Sequence, residues 1–115
     1  MKSIKRVRKI SVADRELLAE LKEIVLGRLP DAELILYGSA ARGTREPESD
    51  YDVLILTDTS LPADEQDAIG YAIYELELAR GVVISEVFLS REEWGHGLIA
   101  VSPFRRNVER EAIRF

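Results

Sequence analysis

The sequence predicts an α/β (α+β) fold in which a small mixed β-sheet carries helices mainly on one face. Three short segments rich in aliphatic residues indicate strands, at 33–37, 51–57 and 82–89. Longer segments before and between them place apolar residues at helical spacing, which favours amphipathic helices. Helices that alternate with strands in this way are typical of a sheet covered by helices.

The first predicted helix begins at Ser11–Asp14 and ends near Gly27–Pro30, because Pro30 cannot continue a helix. The second begins at Ser60–Pro62 and ends at Gly81, a residue favoured just after a helix. The inward faces of the two helices are predicted to carry Leu17, Leu18, Leu21, Ile24, Val25 and Leu29, and Ile69, Ala72, Ile73, Leu76 and Ala79, respectively.

The last quarter of the chain predicts two shorter helices. Ser90 to Glu93 has the residue types of a capping box, so a short helix carrying Trp94 should follow. A final amphipathic helix is expected at 103–113, with Phe104, Val108 and Ala112 turned inward. The strand-like end, 113–115, could cap the core or join a dimer interface.

Length and composition indicate one globular domain spanning 1–115. Of the 115 residues, 46% are hydrophobic and 32% charged, which is ordinary for a globular protein. The chain has no cysteine, so disulfides and thiolate metal sites are excluded. No apolar segment approaches the ~20 residues that a membrane span needs, and the N-terminus lacks the apolar core of a signal peptide. We therefore expect a cytoplasmic protein without membrane contact.

The charge distribution is uneven. The net charge of −5 argues against broad binding to nucleic acid, which depends on basic surface. Residues 1–10 are nevertheless basic, and we expect them to form a solvated tail or an edge strand. A contact of this segment with an acidic partner or with RNA is the alternative.

The segment from Leu34 to Thr57 carries the clearest chemical signal. An apolar strand stops at Gly38, and Ser39 is expected to cap the short helix that follows it. Such a turn offers free backbone N–H groups, which suit a phosphate. About a dozen residues later, Asp50 and Asp52 open the next strand. Residues two apart on a strand share a face, so these carboxylates should lie together and bind Mg²⁺, which prefers oxygen ligands.

The joint pattern GSAARG followed by SDYDVLIL resembles the nucleotidyltransferase superfamily related to DNA polymerase β. It is most similar to the minimal nucleotidyltransferases of bacteria, which consist of little more than the catalytic core. The resemblance implies the polymerase β-like fold and Mg²⁺-dependent transfer of a nucleoside monophosphate, with AMP from ATP as the expected case, to a hydroxyl. The alternative is a catalytically decayed subunit that binds nucleotide or a partner.

The resemblance also implies roles for individual residues. Gly38 and Ser39 would hold the triphosphate, and Asp50 and Asp52 would bind one or two Mg²⁺ ions. Arg42, one helical turn further on, is a candidate for binding a phosphate. It could instead pair with one of the two loop acids, Glu46 or Glu48.

Active members of this superfamily carry a third carboxylate on a later strand, and Glu86 is the candidate here. It is the only acid between Glu77 and Glu92, and it interrupts an apolar strand, VVISEVFL. Its surroundings differ from the Val-Asp-Leu-Val setting common in the minimal enzymes. We expect Glu86 to be the third catalytic and metal-binding acid; otherwise the site has two carboxylates and is slow or silent.

We expect no residues to spare for an acceptor domain, so either the acceptor is a macromolecule that brings its own binding surface or a partner subunit completes the cleft. The resemblance implies a helical HEPN-type toxin as partner, to which this chain would add AMP as an antitoxin. A homo-oligomer, with transfer to a small molecule such as an aminoglycoside, is a further alternative. His96, the lone histidine, is expected to be a solvated loop residue, and Trp94 and Phe104 are expected to be core or partner surface.

Overall fold

The computed structural model describes residues 1–115 as a five-stranded mixed sheet with helices on its two faces. The strands follow the spatial order β1-β5-β2-β3-β4, with bounds β1 Lys2–Ser3, β2 Glu33–Tyr37, β3 Tyr51–Thr57, β4 Ile84–Ser90 and β5 Ile113–Arg114. The helices are α1 Val12–Arg28, α2 Gly38–Arg42, α3 Ala63–Arg80, α4 Arg91–Gly95, α5 Gly97–Ala100 and α6 Pro103–Glu111. The predicted fold class is confirmed.

The register of the central strands determines which side chains share a face. Strands β2 and β3 are antiparallel, and Tyr37 lies opposite Asp52. Strands β3 and β4 are parallel, and Asp52 lies beside Ser85 while Val53 lies beside Glu86. Because paired residues point to the same face, Asp52 and Ser85 lie on one side of the sheet and Glu86 on the other.

The first face of the sheet is covered by the two long helices, α1 and α3. Val53 and Ile55 are fully buried there against apolar side chains of both helices. The buried residues of α1 are Leu17, Leu18, Leu21 and Val25, and those of α3 are Ile69, Ile73 and Leu76. Both helix stripes therefore pack on the sheet, but the prediction for Ala79 is wrong, because this residue near the end of α3 is exposed.

The second face carries a smaller core beneath α4 and α6. Leu54 on β3 is buried with Val108 and Ala112 of the C-terminal segment. Phe104 of α6 contacts the rings of Tyr37 and Trp94 edge-on, at centroid distances of 5.5 and 6.2 Å. This packing holds α6 against the end of β2, directly before Gly38.

The predicted helix ends are largely confirmed. The Ser11 hydroxyl accepts a hydrogen bond from the Asp14 N–H, and Ser90 and Glu93 form the reciprocal capping box. Gly81 ends α3 in the left-handed conformation. The prediction for Ser39 is wrong, because α2 already begins at Gly38 and no side chain caps it.

Residues 1–10 pack along the edge of the sheet. The Arg15 guanidinium donates to the backbone carbonyls of Ile4, Val7 and Ile10, and the last two side chains are buried. The other end of the chain enters the sheet, because β5 lies between β1 and β2. None of the helices combines the length and the apolar character needed to cross a membrane.

Candidate active site

The turn between β2 and α2 brings the backbone of Gly38 into contact with Asp52. Gly38 has φ +73°, a left-handed conformation that favours glycine. A β-carbon at this position would overlap the Oδ2 atom of Asp52. Glycine is therefore required for two reasons, and its absent side chain leaves the room that lets a carboxylate approach the turn. Ser39, the next residue, is partly exposed beside it.

Asp52 and Asp50 lie on the same side of the sheet at the start of β3, as predicted. Burial raises the pKa of Asp52 above its ordinary value, and the charge of Asp50 raises it further, while Arg42 opposes the shift. Ser85 approaches the pair from β4, with its hydroxyl 3.4 Å from Oδ2 of Asp50. The two carboxylates repel each other, which a bound cation would relieve.

Arg42 extends over this site, but its partner is not one of the predicted loop acids. Its Nη1 donates to Oε2 of Glu111 at 2.8 Å, and the Gly38 N–H donates to Oε1 of the same carboxylate at 3.1 Å. The expected alternative pairing with Glu46 or Glu48 is therefore corrected. Glu111 was not predicted as a site residue. It lies at the end of the last helix, and its only sequence signal is its place beside the inward-facing Ala112.

Glu86 is not brought to Asp50 and Asp52, and its predicted place in the metal site is corrected. Its side chain lies on the face covered by α3, where its Oε1 is 3.7 Å from the position that a β-carbon of Gly70 would occupy. Burial raises the pKa of Glu86, and the charge of Glu77 on α3 adds to the effect. The residue on β4 that faces the two aspartates is Ser85. Because successive side chains of a strand point to opposite faces, Glu86, one residue after Ser85, points away from the two aspartates.

Arg45 organises the loop that leads into β3. Its Nη1 donates to the carbonyls of Glu46, Pro47 and Ser49, and its guanidinium carbon lies 4.1 Å from the centre of the Tyr51 ring. The Tyr51 hydroxyl in turn donates to Asp14 at 2.6 Å, and burial together with this hydrogen bond raises the Tyr51 pKa to about 12. These contacts fix the backbone directly beside Asp50.

The remaining candidates lie away from this centre. His96 is exposed between α4 and α5, as expected. Trp94 packs on Phe104, and the Arg105 guanidinium lies 5.2 Å from the centre of its ring. The indole is therefore part of the second core.

The donor set fits Mg²⁺ only when the nucleotide shares the coordination. The chain has no group of three acids, histidines or cysteines arranged to hold a metal. Mg²⁺ is usually bound through one or two carboxylates together with substrate phosphates and water. Asp50 and Asp52 supply the two carboxylates, and the neighbouring Arg42 could hold the phosphates that would complete the coordination.

The sheet combines parallel and antiparallel strands, and the turn at Gly38 and Ser39 faces Asp52 at the start of β3. The model of the nucleotidyltransferase domain family matches residues 15–114. The chain belongs to this family.

The sequence is also similar to the CCA-adding enzyme of Picrophilus torridus, with 28% identity over 74 residues. The similar segment covers 64% of this chain and 17% of that enzyme. The chain thus corresponds to only a small part of this relative's length.

Proposed function

We propose that this chain is a Mg²⁺-dependent nucleotidyltransferase that moves AMP from ATP to a hydroxyl group. The observation that carries the proposal is the contact of Gly38 with Asp52. Asp52, one of the two carboxylates, lies against the turn that would hold the triphosphate, and this proximity supports the proposal. Family membership supports transfer of a nucleotidyl group in general, and the choice of ATP follows from the resemblance to minimal nucleotidyltransferases.

The residues divide the work between positioning and charge. The turn at Gly38 and Ser39 would hold the phosphates through backbone N–H groups, and Arg42 would neutralise part of their charge. Asp50 and Asp52 would hold Mg²⁺, which supplies charge neutralisation at the phosphates. The hydroxyl oxygen of the acceptor forms a bond to the α-phosphorus while the bond from that phosphorus to pyrophosphate breaks; pyrophosphate leaves with the electron pair, and the hydroxyl proton passes to solvent water. Catalysis of this type depends mainly on alignment and electrostatics.

The proposed acceptor is a hydroxyl on a protein, in particular on a helical HEPN-type toxin in the cytoplasm. The carboxylate pair lies at the N-terminal end of β3, and Asp50 is exposed, so a macromolecule can reach it. The resemblance to minimal antitoxin nucleotidyltransferases supports the choice of partner. The net charge of −5 makes a nucleic acid a less suitable acceptor.

Titration calorimetry with ATP, with and without Mg²⁺, tests the nucleotide site. Wild type is compared with Asp50→Asn/Asp52→Asn, and with Asp67→Asn/Glu75→Gln, which removes two exposed charges on α3 far from the turn. We expect binding that needs Mg²⁺ and is lost only in the first variant. Transfer of label from α-labelled ATP to co-expressed partner protein then tests the reaction. Equal binding by all three proteins would refute the metal assignment.

A second candidate function is a non-catalytic subunit that binds nucleotide or a partner. The position of Glu86 on the opposite face of the sheet favours it, because two carboxylates remain where active relatives have three. Mg²⁺-dependent ATP binding without label transfer to any co-purifying protein would support this function. Label transfer that disappears in Asp52→Asn would exclude it.

A further inference from the structure

The carboxylate of Glu111 contacts the turn at Gly38, to which the proposed function assigns the phosphates. It is the last residue of α6, and its side chain is only 18% exposed. One carboxylate oxygen accepts from the Gly38 N–H and the other from Arg42, so both oxygens are used. The two contacts join residues 73 and 69 positions apart in sequence, which shows that they depend on the complete fold.

These two donors are the groups that the proposed function assigns to the triphosphate. A carboxylate that accepts from a backbone N–H and a guanidinium uses the same charge-assisted geometry as two oxygens of a phosphate. The turn therefore already holds an anion supplied by the chain itself. A phosphate in the same place must take both donors away from Glu111.

Charge makes simultaneous occupation unfavourable. Glu111 is close enough to Asp52 to raise the pKa of that carboxyl, and Asp50 adds another negative charge. Arg42 is the cation paired with this group. Adding a triphosphate while Glu111 stays in place would bring a further anion to one guanidinium, and like charges repel strongly at a partly desolvated site.

We propose that Glu111 is an intramolecular occupant of the phosphate-binding turn, which a nucleotide must displace, and that it thereby sets the nucleotide affinity. This inference rests on the proposed function of the same turn. A ligand that binds only the open state has an apparent affinity reduced by the fraction of open molecules. If Glu111 occupies the turn about nine-tenths of the time, its removal strengthens binding roughly tenfold.

A cavity beside Glu111 can accept its carboxylate when a phosphate displaces it. A cavity of about 260 Å³ lies beside Glu111, and Lys2, Lys9 and Arg110 are among its lining residues. All three are exposed cations, and none forms an ion pair with an acidic side chain. A carboxylate that leaves Arg42 can therefore turn toward positive charge without unfolding of α6.

The test compares Glu111→Gln and Glu111→Ala with wild type, using MgATP and inorganic triphosphate as separate probes in titration calorimetry. Glu92→Gln is the control, because it removes the same charge from an exposed side chain on α4 that forms no ion pair and does not line this cavity. Amide NMR of ¹⁵N-labelled protein follows the Gly38 N–H, and thermal unfolding confirms that each variant is folded. Inorganic triphosphate isolates the phosphate contacts from those of the base.

We expect both Glu111 variants to bind both probes about tenfold more tightly than wild type, and Glu92→Gln to bind as wild type does. The Gly38 amide signal should shift in the Glu111 variants without ligand, and shift in wild type when triphosphate binds. Unchanged or weaker binding by folded Glu111 variants, with binding still dependent on Asp52, overturns this inference alone. Failure of wild type and every folded variant to bind either probe overturns the proposed function as well.

Discussion

The carboxylate of Asp52 fills the space that a side chain at residue 38 would need. Gly38 is thus determined both by its φ of +73° and by the aspartate on the neighbouring strand. The two parts of the motif, separated in sequence, form one structural unit. Substitutions on either side should therefore affect nucleotide binding together with the local fold.

Gly38→Ala should destabilise the protein by roughly 1–3 kcal/mol, because a left-handed alanine is strained and its β-carbon overlaps Asp52. Nucleotide binding should fall with it. Gly27→Ala is the matched control, since Gly27 is helical and a β-carbon there meets nothing within 4 Å. That variant should gain about 0.5–1 kcal/mol. Urea unfolding of both variants measures the difference, and equal stabilities would contradict the strained-turn interpretation.

Asp52→Asn should abolish Mg²⁺-dependent binding and, without ligand, raise stability at neutral pH. The pKa of Asp52 lies above its ordinary value of 3.8, because burial and Asp50 disfavour the ionised form. The ionised carboxylate therefore lowers stability above the folded-state pKa, and this effect disappears below the unfolded value. Thermal unfolding at pH 7 and pH 3 should show a gain only at pH 7.

The same shift predicts the pH dependence of metal binding. Mg²⁺ needs the ionised carboxylate, so binding should be lost as the pH falls through the raised pKa of Asp52. The loss should begin at a higher pH than an ordinary aspartate would give. Calorimetric titration with MgATP between about pH 3 and pH 7 measures the midpoint, and this range includes the ordinary aspartate value of 3.8. A midpoint at the ordinary value would show that the carboxyl is solvated.

Glu86→Gln should keep nucleotide binding and raise neutral-pH stability, because the pKa of this buried carboxyl is raised on the helix-covered face. Ser85→Asp, in contrast, should change metal binding at the site, since position 85 lies beside Asp52 on the same face of the sheet. A third carboxylate there should strengthen Mg²⁺ binding about tenfold. Isothermal titration with Mg²⁺ and ATP compares the two variants. Loss of binding in Glu86→Gln would restore that residue to the metal site.

Arg45→Ala should weaken Mg²⁺-dependent nucleotide binding, although Arg45 contacts no predicted ligand. Its guanidinium holds the carbonyl of Ser49, next to Asp50, and stacks on Tyr51. Loss of these contacts should cost about 1–3 kcal/mol of stability. Arg106→Ala, an exposed arginine on α6, is the control and should change neither property. Proton exchange of loop amides, faster only in Arg45→Ala, would identify loop release as the cause.

The sequence was sufficient to predict the two central strands, because these depend on local patterns, whereas the third predicted strand, 82–89, is found at Ile84–Ser90. Strand β2 and strand β3 have the predicted bounds, since apolar runs ending at Gly38 and beginning after Asp50 leave little choice. The direction of Glu86 could not be obtained in this way. A candidate acid has the right residue type in either register, and only the pairing of β3 with β4 reveals which face it occupies.

Glu111 shows a second limit of sequence patterns. Its contacts join the last helix to the turn between β2 and α2, and no local spacing encodes a pairing between residues 73 positions apart. Amphipathic periodicity did place Val108 and Ala112 inward, and Glu111 lies at the edge of that face. The helix was predictable, whereas the contacts of its last residue, Glu111, with Gly38 and Arg42 were not.

The aromatic contact between α6 and α4 gives the protein an internal optical reporter. Trp94 is the single tryptophan of the chain, and its ring meets Phe104 edge-on while Arg105 lies over its face. Phe104 and Glu111 belong to the same helix, so a movement of α6 changes the surroundings of the indole. Emission from this one indole can therefore report movements of α6, in real time and without a label.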